Sequence, residues 1–435
     1  MRIINDTSSL AGSLRATLAQ TSSEDVREIV GSVMEQVRNE GDSALLRFEE
    51  RFDHVSLSSL RLSIRKIRQA EALLPQSLKE AIQTACRNIT TFHAAQRFNP
   101  LKVKVADGVT CEQRAVPIER VGLYVPGGTA PLFSTVLMLA IPARLAGCKR
   151  IILCSPPNRE GKIHPAILYA ACLAGIKEIY RVGGAQAVAA MTYGTQTIPR
   201  VDKIFGPGNQ YVTAAKQLAT LSGVAIDMPA GPSEVAILAD NSGRADFIAA
   251  DLLSQAEHGT TSQVLLLTTS ERLLKEVPLE VEKQLAGLPR RDIARQALAG
   301  SAIVLVGSLK EGIRLVNEYA PEHLILALRN SRAAARAITT AGSIFLGHLS
   351  CESAGDYASG TNHTLPTSGY ARAYSALNLL SFMRLTTVQS LTHRGVLSIG
   401  PAVVEMARAE GLEGHARAMQ MRLNALKHNH KATKG

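Results

Sequence analysis

The chain has 435 residues, 46% of them apolar and 20% charged. That is enough to bury cores for about three ordinary domains and too apolar to stay disordered by composition. Lys and Arg number 48 against 37 Asp and Glu, a net +11, but the excess is spread out, and with no Trp and 4% aromatics a base-stacking nucleic-acid platform is not expected.

Up to about residue 120 the sequence reads as mainly helical and charged. Ser22-Ser23-Glu24-Asp25 is a capping start for a helix that stops near Gly41, and helical periodicity returns over 63–72 and 76–98. From residue 120 short β-rich runs alternate with helices. Strands are expected at 120–125, 150–154, 178–182 and 201–205, each followed by a helix. Three of the joints carry glycine: Gly127-Gly128, Gly183-Gly184 and Gly206-Pro207-Gly208. The alternation repeats with strands at 235–238, 263–267, 302–306, 323–328 and 343–346, then a Gly/Ser-rich loop over 347–370 and a tail read as mainly helical. Such alternation specifies parallel βαβ units covered on both faces.

No disulfide framework or thiolate zinc site can be read from Cys86, Cys111, Cys148, Cys154, Cys172 and Cys351, none of which forms a C-x-x-C pair, and a reducing, cytoplasmic setting fits. The first residues lack the apolar core of a secretory signal. The uncharged stretches 122–143 and 182–199 are broken by Pro, Gly and polar residues, so they read as buried elements of an α/β protein, not membrane spans. The basic run Lys427 to Lys434 has no interleaved aromatics and reads as a solvated end.

Several segments can carry chemistry. Glycine turns at the carboxyl ends of parallel strands let a ligand approach the backbone, and the helix start beyond offers N–H groups to phosphate. None matches G-x-G-x-x-G. In Ser254-Gln255-Ala256-Glu257-His258-Gly259 a helix ends with Gly259 expected as its cap. Gln255 and His258 share one face there, at the end whose partial negative charge suits a cation. Their O and N donors are acceptable zinc ligands, though taken alone a capping histidine is the commoner explanation of the pattern. Glu322-His323 ahead of a strand can supply two proton-transfer groups, though an adjacent Glu-His pair is common by chance and on its own points to no chemistry. The loop from Glu352 to His363 is dense in polar side chains and glycine, and Glu410-Gly411-Leu412-Glu413-Gly414-His415 reads as a helix break presenting an acid and a histidine.

In this order, the runs GLYVPGGTAPLFSTV, VGGAQAVAA, FGPGNQYVTAAK, AGPSEV, SQAEHG, APEHL, ESAGDYASGTNHTLPT and EGLEGH resemble the histidinol dehydrogenase family from about residue 22 to 427. The resemblance implies an α/β fold of two Rossmann-like parallel-sheet domains with helical terminal arms in an intertwined homodimer. It implies an arm over 1–21, a discontinuous first domain over 22–123 and 232–377, a second, NAD-binding domain over 124–231, and a helical arm over 378–435 that reaches the partner. The implied activity is oxidation of L-histidinol to L-histidine through the aldehyde, the last step of histidine biosynthesis, using two NAD and one zinc per site. The implied zinc ligands are Gln255, His258, Asp356 and His415, the last from the partner subunit. NAD contacts would be Tyr124, Gln186 and Asn209. Substrate contacts would be Ser233, Gln255, His258, His323, Asp356, Glu410 and His415, with His363 nearby. Glu322 and His323 would be catalytic. One departure is Gly347-His348-Leu349-Ser350-Cys351, where relatives carry an aromatic and a proline. A metal-dependent hydrolase, using the same Glu-His pair on water, is the competing enzyme class; it would not need three glycine turns.

Overall fold

The computed structural model describes residues 1–4, 12, 14, 24–127, 130–229 and 231–432. The rest of the 1–21 arm, the Ser22-Ser23 cap, Gly128 and the side chains of the Lys427–Lys434 run lie outside the described residues. By contact density the chain divides into two units, one of residues 1–96 with 118–382 and one of 97–117 with 383–435.

The first unit holds two parallel sheets, which bears out the α/β class. One has five strands in the spatial order Glu178–Arg181, Arg150–Ser155, Arg120–Tyr124, Lys203–Phe205 and Ala225–Ile226. Leu123, Ile152, Leu153, Ile179, Ile204 and Phe205 on these strands are fully buried, as expected of strands covered on both faces. The helix Phe133–Ala146 that follows the first strand is buried along almost its whole length, which accounts for the absence of charge in that stretch.

The other sheet has six strands, in the order Arg2–Ile4, Ala302–Leu305, Gln263–Thr268, Glu234–Ala239, His323–Ala327 and Ser343–Leu346, and every pairing is parallel. Alternation along the strand Glu234–Ala239 sends its side chains to two separate cores. Val235, Ile237 and Ala239 pack with Ile248, Leu252 and Val277. Ala236 and Leu238 pack with Leu315, Val316 and Tyr319.

The second unit departs from the helical reading of its sequence. It contains an antiparallel sheet in the order Met383–Leu391, Val109–Pro117, Leu101–Ala106. Two cues account for it: period-two alternation of Leu101, Val103 and Val105 with Lys102 and Lys104, and the Asp107-Gly108 turn, whose glycine takes φ +73°, the left-handed conformation tight hairpins demand. Beyond it the helices His393–Ala409 and Glu413–Ala432 pack through Val396, Val404, Ala407, Ala416 and Leu423. They break at Gly411, φ +74°, as the sequence indicated.

Candidate active site

The helix Ala245–Ala256 buries Ile248, Ala249, Leu252 and Leu253 against its sheet, and Gln255 continues that face, wholly buried. The helix ends on Glu257 in a right-handed conformation, so Gly259 is not the expected left-handed cap. Because the helix runs back against the strands, its last turn reaches the amino ends of Glu234–Ala239 and His323–Ala327. Buried Ala320, at φ +51°, turns the chain just before Glu322 and His323. The loop after Ser343–Leu346 is not wholly irregular: it contains the helix Glu352–Tyr357, whose Glu352 and Asp356, four apart, share one face. The unusual residues before it are tied down, with His348 Nε2 3.1 Å from Ser242 Oγ and Ser350 Oγ donating to Leu346 O at 2.7 Å.

These elements bring Gln255, Glu322, His323, Glu352 and Asp356 together. Glu322 Oε2 accepts from Glu234 N at 2.8 Å and from Gln255 Nε2 at 3.3 Å. His323 places Nδ1 3.3 Å from Glu234 O and Nε2 3.2 Å from Asp356 Oδ1. With its nitrogen engaged by Glu322, Gln255 leaves Oε1 buried without a hydrogen-bond partner, as is one oxygen of Glu352. One ligand atom each of His258, Glu352 and Asp356 lies within 4.8 Å of the others.

Electrostatically the cluster is overloaded with carboxylates. Burial, reinforced by the charges of Asp356 and Glu322, lifts the Glu352 carboxyl well above its ordinary value. Burial also opposes charge on His323, but Glu352, Glu322 and Asp356 outweigh it and raise the imidazole well above its ordinary value. Asp356 is held low despite burial, because His323 hydrogen-bonds it. His363, half-buried, is pushed down by desolvation; its Nδ1 lies 2.9 Å from Asp356 O and its Nε2 3.1 Å from Thr135 Oγ1. A divalent cation fits here. The orphaned Gln255 oxygen, the convergence of His258, Glu352 and Asp356, and the unbalanced negative charge all call for one, and the donors are of the N/O kind that zinc accepts.

At the five-stranded sheet the glycine turns lie at the carboxyl ends of their strands, but their N–H groups are largely engaged. Gly183 N donates to Glu49 Oε1 at 3.1 Å and Gly184 N to the Tyr124 hydroxyl at 3.1 Å. Gly206 N donates to Asp227 Oδ2 at 2.8 Å, and its carbonyl accepts from buried Lys216, which is ion-paired with Asp227. A Cβ on Gly206, φ +128°, would lie 2.0 Å from Tyr124 O, so no other residue fits there. Asn209 caps the helix Gln210–Leu221, accepting from Tyr211 N and Val212 N at 3.1 Å. The free N–H cradle expected from sequence is thus filled by the protein's own side chains at the two fully described turns. Tyr124, Gln186 and Asn209 all lie at this edge, Tyr124 and Gln186 buried and Asn209 at a helix start.

Ser233 sits immediately before the strand Glu234–Ala239. Glu410 and His415 lie in the second unit, exposed at the break between its two helices. Sequence reasoning did not single out Glu352, Glu234 or Glu49. Glu352 stood at the head of the quoted polar loop and Glu234 inside AGPSEV; Glu49 sits in an ordinary amphipathic helix, Asp42–Phe52, and carries no local signal.

A family model described as Histidinol dehydrogenase matches residues 17–423. Histidinol dehydrogenase of Bacteroides thetaiotaomicron is 58% identical over 404 residues, 93% of this chain and 94% of the relative. That of Xanthomonas oryzae pv. oryzae is 51% identical over 405 residues, again 93% and 94%. The crystal structure of histidinol dehydrogenase from Elizabethkingia anophelis superposes with a TM-score of 0.95 at 53% identity, covering 98% of this chain and 99% of that one.

Proposed function

This chain belongs to the histidinol dehydrogenase family, an oxidoreductase family, and from that premise we propose that it oxidises L-histidinol to L-histidine through the aldehyde in two NAD-linked steps, closing histidine biosynthesis. The observation that carries the reading is the buried knot of Gln255, Glu322, His323 and Asp356, with an unsatisfied Gln255 oxygen.

Zinc would be held by Gln255, His258 and Asp356 with His415 of the partner subunit, and when bound it supplies positive charge that grips the substrate's nitrogens. NAD, contacted by Tyr124, Gln186 and Asn209, supplies the hydride acceptor. The protein's own work is positioning and proton transfer. Fixing the carbinol carbon in reacting geometry contributes several kcal/mol, about 7–11 at the upper end. His323 faces an acceptor at each nitrogen, Glu234 O at Nδ1 and Asp356 Oδ1 at Nε2. With Asp356 committed to the cation, Nε2 would be released from it and lose its proton, while Nδ1–H stays on Glu234 O, leaving Nε2 as the basic end that takes the hydroxyl proton. Glu322, held by Glu234 N and Gln255, then helps activate the water that adds to the aldehyde, with His323 again as base. Ser233 and Glu410 complete the substrate contacts, with His363 beside them.

In domain terms the dinucleotide falls to 124–231 and the metal to 22–123 with 232–377, while 378–435 is the arm that reaches the partner of an intertwined homodimer. In support, the second unit exposes Leu385, Leu391, Leu397, Met406 and Leu412. Among the described residues no helix is long and apolar enough to cross a membrane, and a cytoplasmic setting suits the free cysteines. The glycine-turn edge favours a dehydrogenase over a hydrolase.

The deciding assay is stoichiometric: two NADH per histidinol consumed, abolished by a chelator and restored by zinc. A shared site has its own test. Chains carrying His415→Ala or Asp356→Ala should each be inactive, yet mixed dimers regain about a quarter of the activity, since half the dimers are mixed and one of their two sites is intact. No recovery on mixing would place both ligands in one chain.

A further inference from the structure

Glu49 is wholly buried and has no part in the chemistry above. It reaches from the helix Asp42–Phe52 to the start of the helix Gly184–Tyr193. There its Oε1 accepts both Gly183 N and Gln186 Nε2, each at 3.1 Å, while its carboxyl also shares a hydrogen bond with the Asp53 carboxyl, so that one proton serves the two acids. We propose that Glu49 is a positioning residue for the dinucleotide: it closes the helix start at Gly183 and grips the Gln186 amide by its nitrogen, so that the Gln186 carbonyl oxygen is turned to a hydrogen-bond donor of the ligand. This rests on the reading of Gln186 as a dinucleotide contact and deepens it.

The geometry selects the chemistry. With one amide N–H given to Glu49, Gln186 is oriented with its carbonyl oxygen away from that acid, and that oxygen, an acceptor, meets a ribose hydroxyl or a carboxamide N–H, not a phosphate. The neighbouring N–H groups that would favour phosphate are already engaged, Gly183 by Glu49 and Gly184 by Tyr124. The Gln186 oxygen lies against Gly184, φ +57°, where a Cβ would come within 2.6 Å of it, so the glycine leaves room for this orientation. The same device recurs at the other sheet, where Glu322 engages Gln255 by its nitrogen and leaves its oxygen unsatisfied.

The groups facing Glu49 are Asp53, which caps the end of its own helix, and Tyr124 and Cys154 on two strands of the five-stranded sheet. Burial, reinforced by the Asp53 charge, pushes the Glu49 carboxyl up to about 8. Below that pH it is neutral and caps without repelling an anionic dinucleotide; above it, it does not.

Calorimetric titration of NAD+ without histidinol, on E49L, E49Q and Q186A, tests this. E49L, which has no acceptor, should weaken NAD+ binding by about tenfold, the size of one lost hydrogen bond. E49Q keeps an oxygen acceptor and should bind like the wild type below pH 8. Above pH 8 the wild type should weaken while E49Q does not. Ligand-free stability gives a second readout. The folded carboxyl holds its proton above the ordinary value of 4.5, so wild-type stability should fall as pH rises from there to about 8; E49Q should fall less, keeping only the share of the other raised acids, Asp53, Asp251 and Glu352. Wild-type affinity in E49L beside weakened binding in Q186A overturns the positioning role, as does one shared pH profile for E49Q and wild type. Unchanged binding in Q186A overturns the dinucleotide reading beneath it. Should E49L not fold, the E49Q profile decides.

Discussion

The two parallel sheets of the first unit present opposite edges to their candidate sites. On the five-stranded sheet, Tyr124, the Gly183-Gly184 turn and Asn209 gather at or just beyond the carboxyl ends of strands, where helices begin. On the six-stranded sheet, Ser233, Glu322 and His323 stand at the amino ends, where the helix carrying Gln255 finishes and His258 follows it. The difference is electrostatic. Helix starts carry partial positive charge and helix ends partial negative charge, so one edge of an α/β layer suits an anionic dinucleotide and the other a cation. The general rule that open α/β sheets bind at their carboxyl edge describes only the first of these.

The sharpest test of that division is at the amino edge. His323→Asn should slow both oxidation steps by about 10²- to 10⁴-fold, the usual worth of a general base, measured in single turnovers from histidinol and from the aldehyde. Full rate in either step removes His323 as the common base. At the carboxyl edge, Lys216→Met strands the buried Asp227 carboxylate beside Gly206. It should cost about 3–5 kcal/mol of unfolding free energy in urea titrations. A cost under about 1 kcal/mol would show that this pair does not set the turn. Where the two edges meet, Asn362→Ala removes buried bonds to Met138 O and His93 and should cost about 1–3 kcal/mol, read as a drop in melting temperature. The finest distinction is within the Glu-His pair. Glu322→Gln should slow aldehyde oxidation about tenfold more than alcohol oxidation, a difference of roughly 1.4 kcal/mol; equal slowing would deny it a role specific to water addition.

Most of this architecture was legible because it is periodic. Strands such as Glu234–Ala239 and Gln263–Thr268, buried at every position, appear as short apolar runs bounded by turns, and the helices between them keep their stripe. The antiparallel sheet of the second unit was not read, since two of its strands are largely exposed; its cues were short, the alternation of Leu101, Val103 and Val105 with lysine and the Asp107-Gly108 turn. At the sites, His323 and Asp356 stood in motifs whose residues fall in one place. Glu49 could not be found, because its partner Gln186 is 137 positions away and nothing local distinguishes it from a solvated glutamate. Which amide end faces a ligand is likewise a tertiary fact, set by the acid that holds the other end.

The stretch from Asp356 to His363 meets both halves of the first unit. Asp356 touches His323 on one side, while His363 and Asn362 reach Thr135 and Met138 on the helix after the first glycine turn. Eight residues therefore act as a shared ruler between the proposed proton-transfer pair and the proposed dinucleotide edge. Neither half can be retuned for a bulkier reactant without moving this measure, so lineages that explore new alcohols are expected to vary the pocket walls and leave its length alone.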